Sequence, residues 1–165
     1  MRALTPGEAA IAWAVFGAAL DPAPVRLRLE KWAMWQPANV TMAPDGHIWF
    51  HPNGDRWSPD FAAEPPARQH LLVHELVHVW QHQQGVRLPL RRHPFCRYAY
   101  APLSPGRPFA DYGIEQQAEI VADAWLAFLG APRLGRPPFE LLAALVPFWN
   151  AGRAPLPGWR QPETV

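Results

Sequence analysis

Two histidines that lie four residues apart, His74 and His78, enclose Glu75 in the sequence HELVH. On a helix this spacing brings both rings to one face, about one turn apart, where two neutral imidazoles can bind a single ion. Glu75 lies beside them without competing for the ion, so its carboxylate can take a proton from a metal-bound water. The pattern therefore predicts one zinc ion with His74 and His78 as ligands and Glu75 as the general base.

The residues around this motif predict a single buried helix over the run 65–85. Pro65 and Pro66 suit the first turn of a helix, where no backbone N–H is needed, and Gly85 suits a left-handed C-terminal cap. Apolar residues cover most of the circumference between them, as in a helix packed inside a domain. His70 and His82 extend the four-residue pattern, but each step overshoots a full turn by about 40°. We therefore expect these two histidines to be partly exposed neighbours of the motif and not ligands.

A catalytic zinc site takes a third protein ligand and leaves one position for water. The sequence 112–129, YGIEQQAEIVADAWLAFL, predicts a second helix that carries an acidic stripe of Glu115, Glu119 and Asp123. With Glu115 as the ligand, Glu119 is the carboxylate that orients a zinc-binding histidine. With Glu119 as the ligand, Asp123 takes that orienting role. The spacing alone leaves both registers open.

The remaining patterned segments predict an α+β domain. Thr5-Pro6-Gly7-Glu8 is a capping box that opens a helix reaching residue 20. Short strands are predicted over 25–29, 40–42 and 48–50, and Asp45-Gly46 is a strong hairpin signal between the last two. We expect a small antiparallel sheet that packs on the HELVH helix, with 48–50 as an edge strand that can hold an extended peptide.

Length and composition describe one domain. At 165 residues and 49% hydrophobic residues, the chain is long enough for a sizeable core. We assign the domain to 1–152, closed by a third apolar helix over 139–149 that is bent or ended near Pro147, and treat 153–165 as a Pro-rich tail. A formal net charge of +1 argues against nucleic acid or a membrane as a partner. Cys96 is the only cysteine, which excludes a disulfide within the chain and favours cytoplasmic synthesis.

A long irregular stretch separates the two main helices and is rich in aromatic and cationic residues. A loop of this length inside a compact domain is usually functional, which favours a rim that faces the substrate. An oxyanion formed during peptide hydrolysis needs a further hydrogen-bond donor. The candidates in or next to this stretch are Tyr98, Tyr100, Tyr112, His93 and Arg97.

The sequence HELVHVWQHQQG at 74–85, followed by YGIEQQAEIVADA at 112–124, resembles the glutamate-zincins. More narrowly, it is similar to small bacterial zincin-like proteins labelled Vgr-related, which occur with Rhs and Vgr elements of type VI secretion. The similarity extends through APDGHIWFHP and LPLRRHPFCRY and covers most of the chain up to residue 130. The resemblance implies a zincin-like fold, a zinc metallopeptidase acting on a peptide or protein substrate, Vgr or Rhs partners, and export by type VI secretion.

The resemblance also bears on the third ligand. In such proteins, the glutamate that begins a Glu-x-x-Ala-Asp/Glu pattern binds zinc. Both the segment from Glu115 to Glu119 and the segment from Glu119 to Asp123 match this pattern. The Glu-Gln-Gln run associated with the family favours Glu115.

Three functions follow as hypotheses. The first is a zinc metallopeptidase. The second is an accessory or structural protein of a type VI secretion locus that binds zinc and cleaves nothing. The third is a peptidase-type effector that is secreted through that system.

Overall fold

The computed structural model describes residues 1–88 and 98–151, which form an α+β domain. The tail at 153–165 and the residues Cys96, His93 and Arg97 lie outside the described residues. The helices that lie wholly within the described residues are α1 (Pro6–Phe16), α2 (Pro66–Gln83), α3 (Ile114–Phe128) and α4 (Phe139–Leu145). The strands are β1 (Leu27–Leu29) and β2 (Ile48–Phe50).

The predicted capping box opens α1. The hydroxyl of Thr5 accepts a hydrogen bond from the backbone N–H of Glu8 at 3.1 Å, and the Glu8 carboxylate accepts one from the backbone N–H of Thr5 at 2.9 Å. Glu8 is fully buried, and its charge is matched by Arg2 at 2.6 Å. The helix ends at Phe16, short of the predicted residue 20, because the chain tightens there into the 3-10 turn Gly17–Ala19.

The sheet is parallel, whereas the sequence predicts an antiparallel one. Leu27 lies opposite Ile48, and the two strands run in the same direction. The Asp-Gly turn does reverse the chain, because Gly46 has a φ of 83° and Met42 forms an antiparallel bridge with Trp49. The hairpin signal therefore predicts only the pairing of Met42 with Trp49. The chain between β1 and Met42 is long enough for β1 to pair with the opposite edge of β2, and the direction of that pairing is not encoded locally.

This arrangement also removes the predicted free edge at 48–50. Trp49 donates to and accepts from the backbone of Met42 at 2.7 and 3.1 Å, and Ile48 donates to the carbonyl of Arg26 at 2.9 Å. Both sides of β2 are therefore paired. Of the predicted strand 40–42, Met42 alone pairs with β2, through an isolated bridge, so this segment does not form a third strand.

Helices α2 and α3 form the most extensive contact between two elements. Near the start of α2, Gln69 accepts a hydrogen bond from the indole N–H of Trp125 at 3.1 Å. Near its end, the amide of Gln81 donates to the side-chain oxygen of Gln117 at 2.8 Å. Residue numbers rise along α2 as they fall along α3, so the two helices are antiparallel. These buried polar contacts fix which residues of one helix face which residues of the other.

The last helix ends at Leu145, close to the predicted bend or end at Pro147. The chain leaves helical geometry at Val146, whose ψ is 114°, because a residue before proline is driven towards extended backbone. Trp149 nevertheless packs against Phe139 and Phe128, with ring centroids 5.6 and 6.3 Å apart. Within the described residues, no helix has both the length and the hydropathy needed to cross a membrane.

Candidate metal centre

Three histidines of α2 face three carboxylates of α3, one turn after another. Each histidine has a ring nitrogen within 3.4 Å of the carboxylate opposite. The pairs are His70 with Asp123 at 3.4 Å, His74 with Glu119 at 3.1 Å, and His78 with Glu115 at 3.2 Å. Both rows repeat every four residues, so the antiparallel helices bring them into register as a ladder.

His74, His78 and Glu115, which we call the metal-side cluster, converge on one point. The Nε2 atoms of His74 and His78 lie 3.3 and 3.2 Å from the same oxygen, Oε2 of Glu115. One ligand atom from each of the three buried residues lies within 4.8 Å of the others, so the set could hold a metal ion. Ligands at the corners of a tetrahedral zinc site with bonds of about 2.0 Å are about 3.3 Å apart. The separations of 3.3 and 3.2 Å between Glu115 and the two rings match that spacing.

Glu119 occupies the position of the orienting carboxylate. Its Oε1 lies 3.1 Å from Nδ1 of His74, on the side of the ring opposite Glu115. Burial disfavours the charge of Glu119, but hydrogen bonds from His74 and Arg133 outweigh it and lower the pKa of this carboxylate to about 2. Burial likewise disfavours the charged ring of His74, yet Glu115 and Glu119 together raise its pKa to about 9. A proton therefore occupies His74 at neutral pH when no metal replaces it.

The residue that orients His78 is Gln81, which sequence reasoning missed. Nδ1 of His78 lies 2.8 Å from the side-chain oxygen of Gln81. The amide nitrogen of Gln81 donates to Gln117 and to the carbonyl of Ile114, so its oxygen is left to accept. This contact holds the ring so that Nε2 of His78 faces Oε2 of Glu115 at 3.2 Å. Glutamine three residues after the second histidine of the motif is the signal that could have revealed this contact.

His70, Glu119 and Asp123 form a second group whose ligand atoms also lie within 4.8 Å of one another. We call it the arginine-side cluster, because permanent cations reach its carboxylates. Arg133 donates to Asp123 at 2.5 and 2.8 Å and also contacts Glu119, while Arg136 lies 3.1 Å from Asp123. Burial disfavours the charge of Asp123, but contacts with His70, Arg133 and Tyr100 lower its pKa to about 2.

The predicted oxyanion donors separate in the structure. The hydroxyl of Tyr100 is buried and donates to Asp123 at 2.6 Å, and burial raises the pKa of that hydroxyl. The hydroxyl of Tyr112 accepts from the backbone of Ser104 at 3.3 Å. Neither of these two tyrosines is among the residues that line the cleft beside the motif. Tyr98 does line it, with its ring stacked on that of His74 at 6.3 Å.

A cleft of about 720 Å³ opens above the motif and has His74 and Glu75 among its lining residues. Glu75 is only 3% exposed, and within the described residues its Oε2 atom has no hydrogen-bond partner. A buried carboxylate oxygen left in this state is costly unless a further group binds there. One such group is a water molecule at a metal ion held by the metal-side cluster, which is the arrangement that the HELVH pattern predicts.

Two chain segments form the walls of this cleft. One contains Thr41 and the other contains Asp55 and Arg56. They meet where Gly54 packs against Ala38 so closely that an added Cβ would lie 2.2 Å from the carbonyl oxygen of Ala38. The absence of a side chain at Gly54 therefore sets how near the two walls approach.

The fold and this site define a class: an α+β domain in which two antiparallel helices hold a buried, three-residue candidate metal centre at a cleft. No family model matches the chain. The type VI secretion system spike protein VgrG2b of Pseudomonas aeruginosa is 44% identical over 135 residues, which cover 76% of this chain. The chain spans only 13% of the length of that relative.

A solved structure matches over nearly the whole domain. The effector domain of Pseudomonas aeruginosa VgrG2b superposes with a TM-score of 0.73 at 38% identity, covering 88% of this chain and 83% of that one. The chain therefore belongs to the family of the VgrG2b effector domain. The Vgr-related part of the resemblance seen in the sequence is confirmed by both comparisons.

Proposed function

We propose that this chain is a type VI secretion effector domain that hydrolyses peptide bonds with a zinc ion. The observation that carries the proposal is the Oε2 of Glu75, which is buried and has no hydrogen-bond partner among the described residues, next to three residues that could hold a metal ion. Of those three, His74 lines the cleft together with Glu75. Homology to the VgrG2b effector domain supports the secretion context. The relative that is 44% identical is a spike protein of the secretion system. We therefore propose that this chain associates with components of the secretion spike and is exported.

In this proposal, His74, His78 and Glu115 hold the zinc ion. When bound, zinc supplies a Lewis acid that acidifies a water molecule and polarises the carbonyl of the substrate. Glu119 and Gln81 hold the two imidazole rings through their Nδ1 atoms, at 3.1 and 2.8 Å, so that both Nε2 atoms face the centre. The family resemblance and the nitrogen and oxygen donor set both favour zinc over harder cations.

Glu75 moves the proton. Its Oε2 is buried and carries no competing hydrogen bond within the described residues, so it can accept a proton from the attacking water and later deliver it to the leaving amine. Tyr98 lies at the cleft, stacked on His74, and we propose that it contacts the substrate near the reacting carbonyl. A cleft of about 720 Å³ has room for several residues of an extended peptide.

Replacing Glu75 with Gln tests the catalytic claim. The variant keeps the size of the side chain but loses the base, and we expect hydrolysis of a quenched fluorescent peptide library to fall by at least about 100-fold. The zinc content, measured by metal analysis of the purified protein, should stay at one ion per chain. Glu140→Gln, which changes an exposed glutamate of α4, is the matched control and should leave hydrolysis unchanged.

Hydrolysis, zinc binding and toxicity on expression together separate the three hypotheses. Equal hydrolysis by wild type and Glu75→Gln would remove Glu75 from the mechanism. A wild type that binds zinc but cleaves no peptide would favour the accessory protein without catalysis. For a secreted effector, expression of the wild type in the bacterial periplasm should be toxic, whereas expression in the cytoplasm or expression of Glu75→Gln should not.

A further inference from the structure

One cation of the cleft wall, Arg56, has no ion-pair partner within the described part of the chain. Arg56 is half-buried and lines the cleft that contains His74 and Glu75. Among residues 1–88 and 98–151, its guanidinium forms neither an ion pair nor a hydrogen bond. The second arginine of the cleft, Arg68, differs in this respect, because its two terminal nitrogens are both occupied. None of the Arg56 nitrogens is among the buried polar atoms without a partner, so they are accessible to solvent and to a ligand in the cleft.

Arg68 holds the backbone on both sides of Arg56. It donates to the carbonyl of Asp55 at 2.8 Å and to the carbonyl of Trp57 at 2.8 Å. Arg68 belongs to the first turn of α2, the helix that carries His74 and Glu75. The position of Arg56 is therefore fixed relative to the candidate metal centre, while its side chain stays available. This is the arrangement expected of a recognition residue presented by a rigid support.

The carboxylates that share the cleft do not neutralise Arg56. Glu119 is matched by Arg133 and His74. Asp55 is exposed, and no ion pair within 4.0 Å joins it, Glu75 or Glu119 to Arg56 in the described part of the chain. A planar guanidinium in such a place matches a carboxylate of a ligand, with two parallel N–H···O bonds.

We propose that Arg56 selects peptides that carry an acidic side chain close to the bond placed at the metal centre. The inference rests on the proposed function for the identity of the ligand as a peptide. The chemical group that Arg56 binds in this proposal is a carboxylate. It can come from an aspartate or glutamate side chain or from the C-terminus of a peptide, and the side chain is the source we favour, because the cleft is open to an extended chain.

Binding to an inactive protein tests this without relying on turnover. Zinc-loaded Glu75→Gln protein is titrated into rhodamine-labelled, amidated hexapeptide mixtures that have Glu, Gln or Lys fixed at the centre, and fluorescence anisotropy is recorded. We expect the Glu mixture to bind about tenfold more tightly than the Gln mixture at low salt. A fourth mixture, with central Gln and a free C-terminal carboxylate, shows whether the terminus serves equally well.

Substitutions at Arg56 in the same background make the test specific. Arg56→Gln should abolish the preference for Glu, Arg56→Lys should keep part of it, and Arg56→Glu should shift the preference to the Lys mixture. Arg87→Gln removes one exposed positive charge away from the cleft and should leave the Glu preference intact. Zinc content and thermal unfolding confirm that each variant is folded.

Three outcomes would overturn the inference: equal binding of the Glu and Gln mixtures, a Glu preference that survives Arg56→Gln, or no binding of any mixture. Tighter binding only of the peptides with a free terminus would replace the acidic side chain by the C-terminal carboxylate as the selected group. Hydrolysis by the wild type is measured separately. A protein that cleaves peptides without an acidic preference therefore refutes the role of Arg56 alone, and one that selects acidic peptides without cleaving them refutes the catalytic proposal alone.

Discussion

The metal-side and arginine-side clusters both combine histidines of α2 with carboxylates of α3, yet different counterions stabilise them. Asp123 is held by Arg133 and Arg136, whose charges are permanent. In the metal-side cluster, one oxygen of Glu115 is shared by the Nε2 atoms of two imidazole rings. A permanent cation makes a carboxylate cluster structural, whereas a ring that can lose its proton leaves room for an exchangeable ion.

We expect the largest loss of stability when Asp123, which belongs to the arginine-side cluster, is replaced. Asp123→Ala leaves two arginines and the buried hydroxyl of Tyr100 without their shared acceptor, and we expect a loss of about 3 kcal/mol in the free energy of unfolding. Chemical denaturation should show this loss with and without zinc. Asp111→Ala, at an exposed carboxylate, should change the stability by less than about 0.5 kcal/mol. A loss seen only in the presence of zinc would mean that Asp123 serves the metal and not the fold.

Replacing Glu115 tests whether this residue of the metal-side cluster is the third zinc ligand. Glu115→Gln keeps the shape but removes the anionic ligand, so the zinc affinity should fall by about 100-fold or more, whereas Glu119→Gln should cost about tenfold. Competition with a chromophoric chelator measures both. A larger loss for Glu119→Gln than for Glu115→Gln would exchange their roles as ligand and orienting carboxylate.

The smallest expected effect concerns the pH dependence of stability, which should differ between the metal-free and zinc-loaded forms. The pKa of His74 is raised from 6.5 to about 9 in the folded protein. The stability that its proton contributes without metal is therefore complete below pH 6.5 and is lost as the pH rises through about 9. With zinc, the affinity should instead increase over this window, because metal displaces the proton. Denaturation between pH 6 and pH 10 in chelator measures the loss, and His74→Gln should flatten it.

Local signals were sufficient for the two helices that carry the site. Proline at the start and glycine after the end bound α2, and the four-residue spacing alone places His74 beside His78. The register of α3 against α2 depends on contacts such as Gln81 with Gln117, which the separation along the chain does not reveal. The family resemblance favoured Glu115, and the structure places that residue, and not Glu119, between the two rings.

Long-range pairing accounts for what the sequence did not predict. The arginines that bind Asp123 follow α3 after the turn at Gly130, so nothing in the acidic stripe itself marks one carboxylate as structural. Tyr98 and Tyr100 are only two residues apart, yet the ring of Tyr98 lies at the cleft and the hydroxyl of Tyr100 donates to Asp123. The parallel direction of β1 and β2 depends on a loop whose path has no residue signature.

The contact between Gly54 and Ala38 limits which residue position 54 can accept. The φ of Gly54 is not in the left-handed region, so no backbone rule reserves the position for glycine, and only the nearby carbonyl oxygen excludes a side chain. A mutation to alanine would therefore leave the local backbone permitted but force residue 54 and the carbonyl of Ala38 apart, against the hydrogen bonds by which Arg68 holds the backbone on both sides of Arg56. The lack of a side chain at this one position thus keeps the cleft narrow, although no backbone conformation requires glycine there.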